Sequence, residues 1–203
     1  MKAESVALAI GGMVFGLLVG WIIGDQHQRH EAPVTVASVP AASPTGTEAR
    51  QPPLLDDSKV QALTTIVQSD AKNITARVQL ANLYFDAERF PDAIRWYEGA
   101  LKLDPKNVDV STDLGVSYYY SNQPDRALQQ FDLSLGLDPK HAKTLLNQGV
   151  VLAFGKRDLD AAARAWQHVI DVAPDSQEAQ AAKRALSSLK SAHPGGAAPA
   201  PGG

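Results

Sequence analysis

One phrase recurs three times in this chain and constrains its fold more than any other feature. "LKLDPKN" at 101–107 returns as "LGLDPKH" at 135–141 and, in worn form, as "IDVAPDS" at 170–176. Pro105 and Pro139 stand 34 positions apart, and Pro174 follows 35 further on. A fixed period of this size means one supersecondary unit repeated, each copy too small to bury its apolar face alone and therefore stacked on its neighbours.

Aligned on the prolines, the first unit runs over 74–107. It places Leu80, Ala81 and Tyr84 on one face, then Phe90, Ala93, Tyr97 and Ala100 on another. Spacings of three and four residues predict two amphipathic helices. The second unit, 108–141, repeats them as Leu114, Gly115 and Tyr118, then Ala127, Phe131 and Ser134. The third, 142–176, has Gly149 and Leu152, then Leu159, Ala162, Trp166 and Val169, with its extra residue assigned to the turn between the helices. Small residues at 81, 115 and 149, and at 93, 127 and 162, are expected where paired helices cross, because close approach excludes larger side chains. Asp104-Pro105 and Asp138-Pro139 end the second helices, since proline disfavours a helical conformation in the residue before it.

This pattern resembles the tetratricopeptide repeat: 34 residues, Leu-Gly-x-x-Tyr, then Ala, an aromatic, Ala and Pro. The resemblance implies an all-α fold, an α-α superhelix (TPR solenoid) of about three helix-turn-helix repeats plus flanking helices. Departures fall at Arg77, Ser111 and Leu145, where an aromatic is customary, and at Pro124, which replaces the aromatic that Phe90 supplies in the first unit. Residues 54–73 align with the second helix of a preceding unit, with Asp57 or Ser58 as its expected cap. Residues 177–192 read as the C-terminal capping helix that solenoids need for solubility, with Asp175 as its expected cap.

The ends of the chain differ in composition. Residues 6–24, "VALAIGGMVFGLLVGWIIG", carry no charge. As a helix rising 1.5 Å per residue they would span about 28 Å, close to the hydrocarbon thickness of a bilayer. The array is therefore expected to be preceded by one transmembrane helix, with 1–24 as the N-terminal membrane anchor. A cleaved signal peptide is the rival, but the run is longer than a usual signal core and no small-x-small site follows it before Asp25. Gly12, Gly16, Gly20 and Gly24 recur every fourth residue, leaving a face on which a second helix can pack closely and so a route to a homo-oligomer. Glycine is also commoner in membrane helices than in soluble ones. Residues 25–53, rich in Pro and Ala, and the tail at 193–203 lack apolar periodicity and are expected to be disordered. The first of these would act as a tether reaching roughly 30 Å.

Composition narrows the chemistry. There is no cysteine, which removes disulfides, thiolate ligands and thiol nucleophiles. The net charge is -3, and 57–190 hold 17 acidic against 16 basic side chains in mixed order, unlike the basic footprint of a nucleic-acid binder. The five histidines share no ligand spacing on a structured element, and no phosphate-cradling glycine loop is present. No cofactor, no metal and no catalytic residue is expected.

Carrying over the family's groove positions gives Asn82, Phe85 and Asp86, then Val116, Tyr119 and Tyr120, then Val150 and Phe154. The resemblance implies that these bind a protein or peptide partner, with Phe85, Tyr119, Tyr120 and Phe154 as aromatic anchors in a mostly uncharged groove. The alternative is that some of these rings belong to the core, as Tyr118 does. A carboxylate-gripping version of the family uses cations where Val78 and Asn147 stand here, although Asn82 matches one of its positions and Lys143 stands near another. The organisation of short positive N-terminus, apolar run, tether and C-terminal module resembles single-pass bacterial inner-membrane repeat proteins whose C-terminal domain faces the periplasm, including assembly factors for cytochrome c maturation. The competing reading is a structural protein that self-associates through the glycine face.

Overall fold

A computed structural model describes residues 54–192. Among them eight α-helices and one π-helical turn follow in order: α1 (Asp57–Ser69), α2 (Ile74–Asp86), α3 (Phe90–Leu101), α4 (Val108–Tyr120), α5 (Pro124–Leu137), α6 (Ala142–Val150) running into the π turn (Val151–Lys156), α7 (Leu159–Val172) and α8 (Gln177–Ala192). The pairs α2/α3, α4/α5 and α6/α7 form hairpins. α1 packs on α2, and α8 packs on α7 and α6. No helix among the described residues is long and apolar enough to cross a membrane. The span expected at 6–24, with Gly12, Gly16, Gly20 and Gly24, lies outside the described residues, as do the tether and the tail.

The helix starts show how local chemistry keeps the period. Asn73 and Asn107, 34 residues apart, each accept a backbone N–H three residues on, from Ala76 at 2.9 Å and Val110 at 3.1 Å. Such a cap satisfies one of the orphan donors of the first turn. The flanking helices begin one residue away from the expected caps. Asp56, not Asp57 or Ser58, caps α1. Its Oδ1 accepts the Ser58 hydroxyl at 2.6 Å and the Lys59 N–H at 3.1 Å, and these bonds, the hydroxyl's first, hold its pKa down at about 2. Ser176, not Asp175, caps α8 through the Ala179 N–H at 3.0 Å.

The core is built on one repeated contact, a ring over a small residue. Tyr97, Phe131 and Trp166 are almost fully buried and occupy the same place in successive units. A Cβ built on Gly115 would come within 2.7 Å of Phe131 Cδ1, and one on Gly149 within 2.5 Å of Trp166 Cδ1. Ala81 holds the corresponding place in the first hairpin and is 0% exposed, as are Ala93, Ala127 and Ala162 on the second helices. Each ring settles its polar atom differently. Tyr97 donates to Asn82 Oδ1 at 2.6 Å, Trp166 Nε1 donates to the Leu146 carbonyl at 3.3 Å, and Phe131 has nothing to place.

The three departures from the family pattern are filled locally. The Arg77 guanidinium lies over the Trp96 ring at 6.0 Å and donates to the Ala71 carbonyl at 2.8 Å. Ser111 is buried and bonded to Ser134 at 2.7 Å and to Gln130 Nε2 at 2.6 Å. Leu145 is simply buried. Between hairpins, the Tyr118 hydroxyl donates to Glu98 and accepts from Arg126. Burial, with the Glu98 carboxylate beside it, pushes its pKa up to about 12.

Every hairpin turns through a residue with positive φ: Glu88 at 56°, Asn122 at 59° and Arg157 at 58°. Left-handed backbone costs an ordinary L-residue about 1 kcal/mol and asparagine less. Glu88→Gly and Arg157→Gly should therefore each stabilise the array by about 0.5 kcal/mol after glycine's greater unfolded-state entropy is deducted. Asn122→Gly should change little, and urea midpoints compare the three. The extra residue of the third unit is not in this turn. It is taken up inside the first helix as the π turn, the usual way a helix absorbs a single insertion while keeping its ends in place.

The candidate partner-binding face

The first helices of successive hairpins are bridged side by side. Phe85 on α2 meets Tyr120 on α4 edge-on, with ring centroids 5.7 Å apart. Lys143 on α6 donates to Asp113 on α4 at 2.7 Å, and Thr112 and Thr144 share a buried hydroxyl contact at 2.6 Å. His141 Nε2 lies 3.3 Å from Asp109, while its Nδ1 meets Thr144 Oγ1 at 2.7 Å. This face of α2, α4 and α6 carries most of the expected site residues.

Four rings form its aromatic part. Phe85 is edge-on to Phe90 at 5.3 Å, Phe90 stacks on Tyr120 at 5.1 Å, and Tyr119 meets Tyr120 at 5.6 Å. All four are half-buried. Such pairs add about 1 kcal/mol each beyond the area they bury. Tyr119 also packs against the π turn, since a Cβ on Gly155 would lie 3.2 Å from Tyr119 Cε2. Burial raises the pKa of Tyr119 and Tyr120, the latter also through Tyr119 and Glu88, so both phenols stay protonated near neutrality. Phe154, in the π turn, is 37% exposed. Val150 is 5% exposed and belongs to the core, contrary to its expected place in the lining. Val116 is half-buried against the main core cluster.

The polar part was not expected. Asn82 holds the Tyr97 hydroxyl, and Asp86 follows it by one helical turn. Burial, followed by the charges of Asp113 and Asp86, pushes Tyr97 well above the ordinary phenol range, which sets both carboxylates near its oxygen. Burial also pushes the Asp113 carboxyl up, against the opposing pull of the Lys143 amine. The face is thus not the uncharged groove that its aromatic positions suggest. Asp109 and Asp113 escaped notice although the signal was available: 109, 113, 116 and 120 share one helical stripe.

Asp113 supplies a pH test. A carboxyl whose folded pKa is raised contributes stability below its unfolded pKa, and that contribution is lost as pH rises through the folded value. Asp56, whose pKa is lowered, acts in the opposite direction below its usual range. Stability measured by urea unfolding from pH 3.5 to 7 should therefore decline more with rising pH in wild type than in Asp113→Asn. Equal slopes would mean that burial leaves Asp113 unshifted.

Stacked two-helix hairpins with rings seated on small residues define a helical repeat array, and its first-helix face is a surface for binding rather than a catalytic pocket. The repeats are tetratricopeptide repeats: a family profile described as "TPR repeat" matches residues 81–121, and one described as "Tetratricopeptide repeat" matches 112–168. Among solved structures, the crystal structure of MamA aligns with a TM-score of 0.56 at 18% identity, covering 67% of this chain and 82% of that one. The first TPR of Spaghetti (RPAP3), solved bound to the HSP90 peptide SRMEEVD, aligns at 0.53 and 21% identity over 61% of this chain and 94% of that one. The NMR structure of the first TPR domain of human RPAP3 aligns at 0.53 and 21% identity over 59% and 91%. These likenesses establish the fold. No curated protein matches the chain by sequence.

Proposed function

We propose that this chain is a membrane-anchored scaffold that recruits a protein or peptide partner on the face formed by α2, α4 and α6, without catalysing a reaction. The observation that carries the reading is the half-buried cluster of Phe85, Phe90, Tyr119 and Tyr120. Aromatic side chains supply much of the energy of protein interfaces. The RPAP3 relative, solved with a bound HSP90 peptide, supports peptide binding by this kind of fold. The uncharged run at 6–24 supports anchoring, and the Pro- and Ala-rich stretch after it supports a tether. Confinement to a bilayer would raise the effective concentration toward other membrane-bound partners without any new contact. The setting proposed is the bacterial inner membrane with the array on the periplasmic side, in assembly or maturation of an envelope complex of the kind that serves cytochrome c biogenesis.

The test is a pulldown from native membranes with the full chain in detergent, wild type beside Tyr119→Ala, Tyr120→Ala. Circular dichroism must first show equal helicity. A protein retained by wild type and reduced at least tenfold on the variant supports the reading, and equal retention overturns it. The second reading, self-association through Gly12, Gly16, Gly20 and Gly24, rests on their spacing of four. Loss of the homo-oligomer on removing residues 1–24 would favour it.

A further inference from the structure

The face described above is acidic where a carboxylate-binding groove would be basic. Asp86 and Asp113 flank Asn82 closely enough for both charges to act on the Tyr97 hydroxyl that Asn82 holds. Asp109 continues the stripe. On the cationic side, Lys143 is taken up by Asp113 at 2.7 Å, and the His141 ring is held between Asp109 and Thr144. The positions where cations would meet a ligand's terminal carboxylate carry Val78 and Asn147. One turn of α4 beyond Val116 stand Tyr119 and Tyr120, rings that attract a cation or its apolar stem.

We propose that the occupant of this face is a peptide segment of a partner protein carrying an arginine or lysine between apolar residues. The cation is seated against Asp86 and Asp113, and the flanking apolar side chains lie on Phe85, Tyr119 and Tyr120. Charge complementarity selects the occupant: three carboxylates face one ammonium already in use, so an acidic segment meets like charge while a basic one exchanges water for carboxylate. The inference rests on the proposed use of this face for peptide binding and adds the chemistry of the ligand.

The experiment is selection of a random twelve-residue phage library on the full chain in detergent. Wild type is compared with Asp86→Lys and with Tyr119→Ala, Tyr120→Ala, each checked for helicity. Asp86 is exposed, so Asp86→Lys leaves packing intact. The expected result is enrichment of peptides in which Arg or Lys adjoins an aromatic or large aliphatic residue. Their affinity should fall at least tenfold on Asp86→Lys and weaken as salt is raised. Enrichment of acidic or uncharged peptides that the tyrosine variant loses would overturn the inference while leaving the face as a binding site. Absence of enrichment, or enrichment indifferent to both variants, would overturn the face and the inference together.

Discussion

Gly149→Ala should lower the stability of the array by about 3 kcal/mol, and the melting temperature by about 10 °C. An alanine in a helix ordinarily gains about 1 kcal/mol over glycine, so the sign alone is diagnostic. The added methyl would lie 2.5 Å from Trp166 Cδ1, well inside van der Waals contact. Trp166 is 2% exposed, with its indole N–H committed to Leu146. The ring cannot swing into solvent without giving up that bond and opening the seam between α6 and α7. Gly115→Ala should behave alike against Phe131. Gly136→Ala is the internal control, because a Cβ there meets nothing within 4 Å, and it should stabilise by about 0.5 kcal/mol or more. Thermal and urea unfolding of the three variants decide the matter, and equal effects at 136 and 149 would refute the ring-on-glycine account.

Lys143→Met should cost about 2 kcal/mol at pH 7. Both members of the Lys143–Asp113 pair are mostly buried, with side chains 18% and 27% exposed. Removing the amine leaves a carboxylate that burial already disfavours. Breaking a fully buried pair costs about 3–5 kcal/mol, and partial exposure here reduces the figure. The deficit should shrink as pH falls, because Asp113 can then take up a proton. The double variant Asp113→Leu, Lys143→Met should recover to within about 1 kcal/mol of wild type, since an apolar pair has no charge to desolvate. A double variant as unstable as the sum of the singles would show that the two side chains do not interact.

The helical array was legible because its residues are chosen by local and nearest-neighbour physics. Proline spacing, the 3-and-4 apolar rhythm and the small residues beneath the rings all follow from one hairpin packing on the next. The caps of α1 and α8 slipped by one residue because Asp56, Asp57 and Ser58 are all competent acceptors, and only backbone geometry at the entry decides among them. The inserted residue in the third unit was misplaced because a turn and a π turn lengthen a unit equally. Val150 was assigned to the lining by register alone, and that register shifts where α6 becomes π-helical at Val151. Across the face, Thr112–Thr144, Lys143–Asp113 and His141–Asp109 join residues about thirty positions apart. No local rhythm announces such pairs, and they emerge only once α4 and α6 lie side by side.

The ring contacts carry a consequence for how freely such units can be rearranged. Tyr97, Phe131 and Trp166 hold one place in the repeat, yet each is matched to its own surroundings: a side-chain amide for the phenol, a main-chain oxygen for the indole, and no polar partner for the phenyl. Exchanging Phe131 for tyrosine would bring in a hydroxyl where Val116, not asparagine, occupies the partner position. The units therefore share a spelling but are keyed individually, and shuffling whole hairpins would preserve the outline of the array while scrambling its locks.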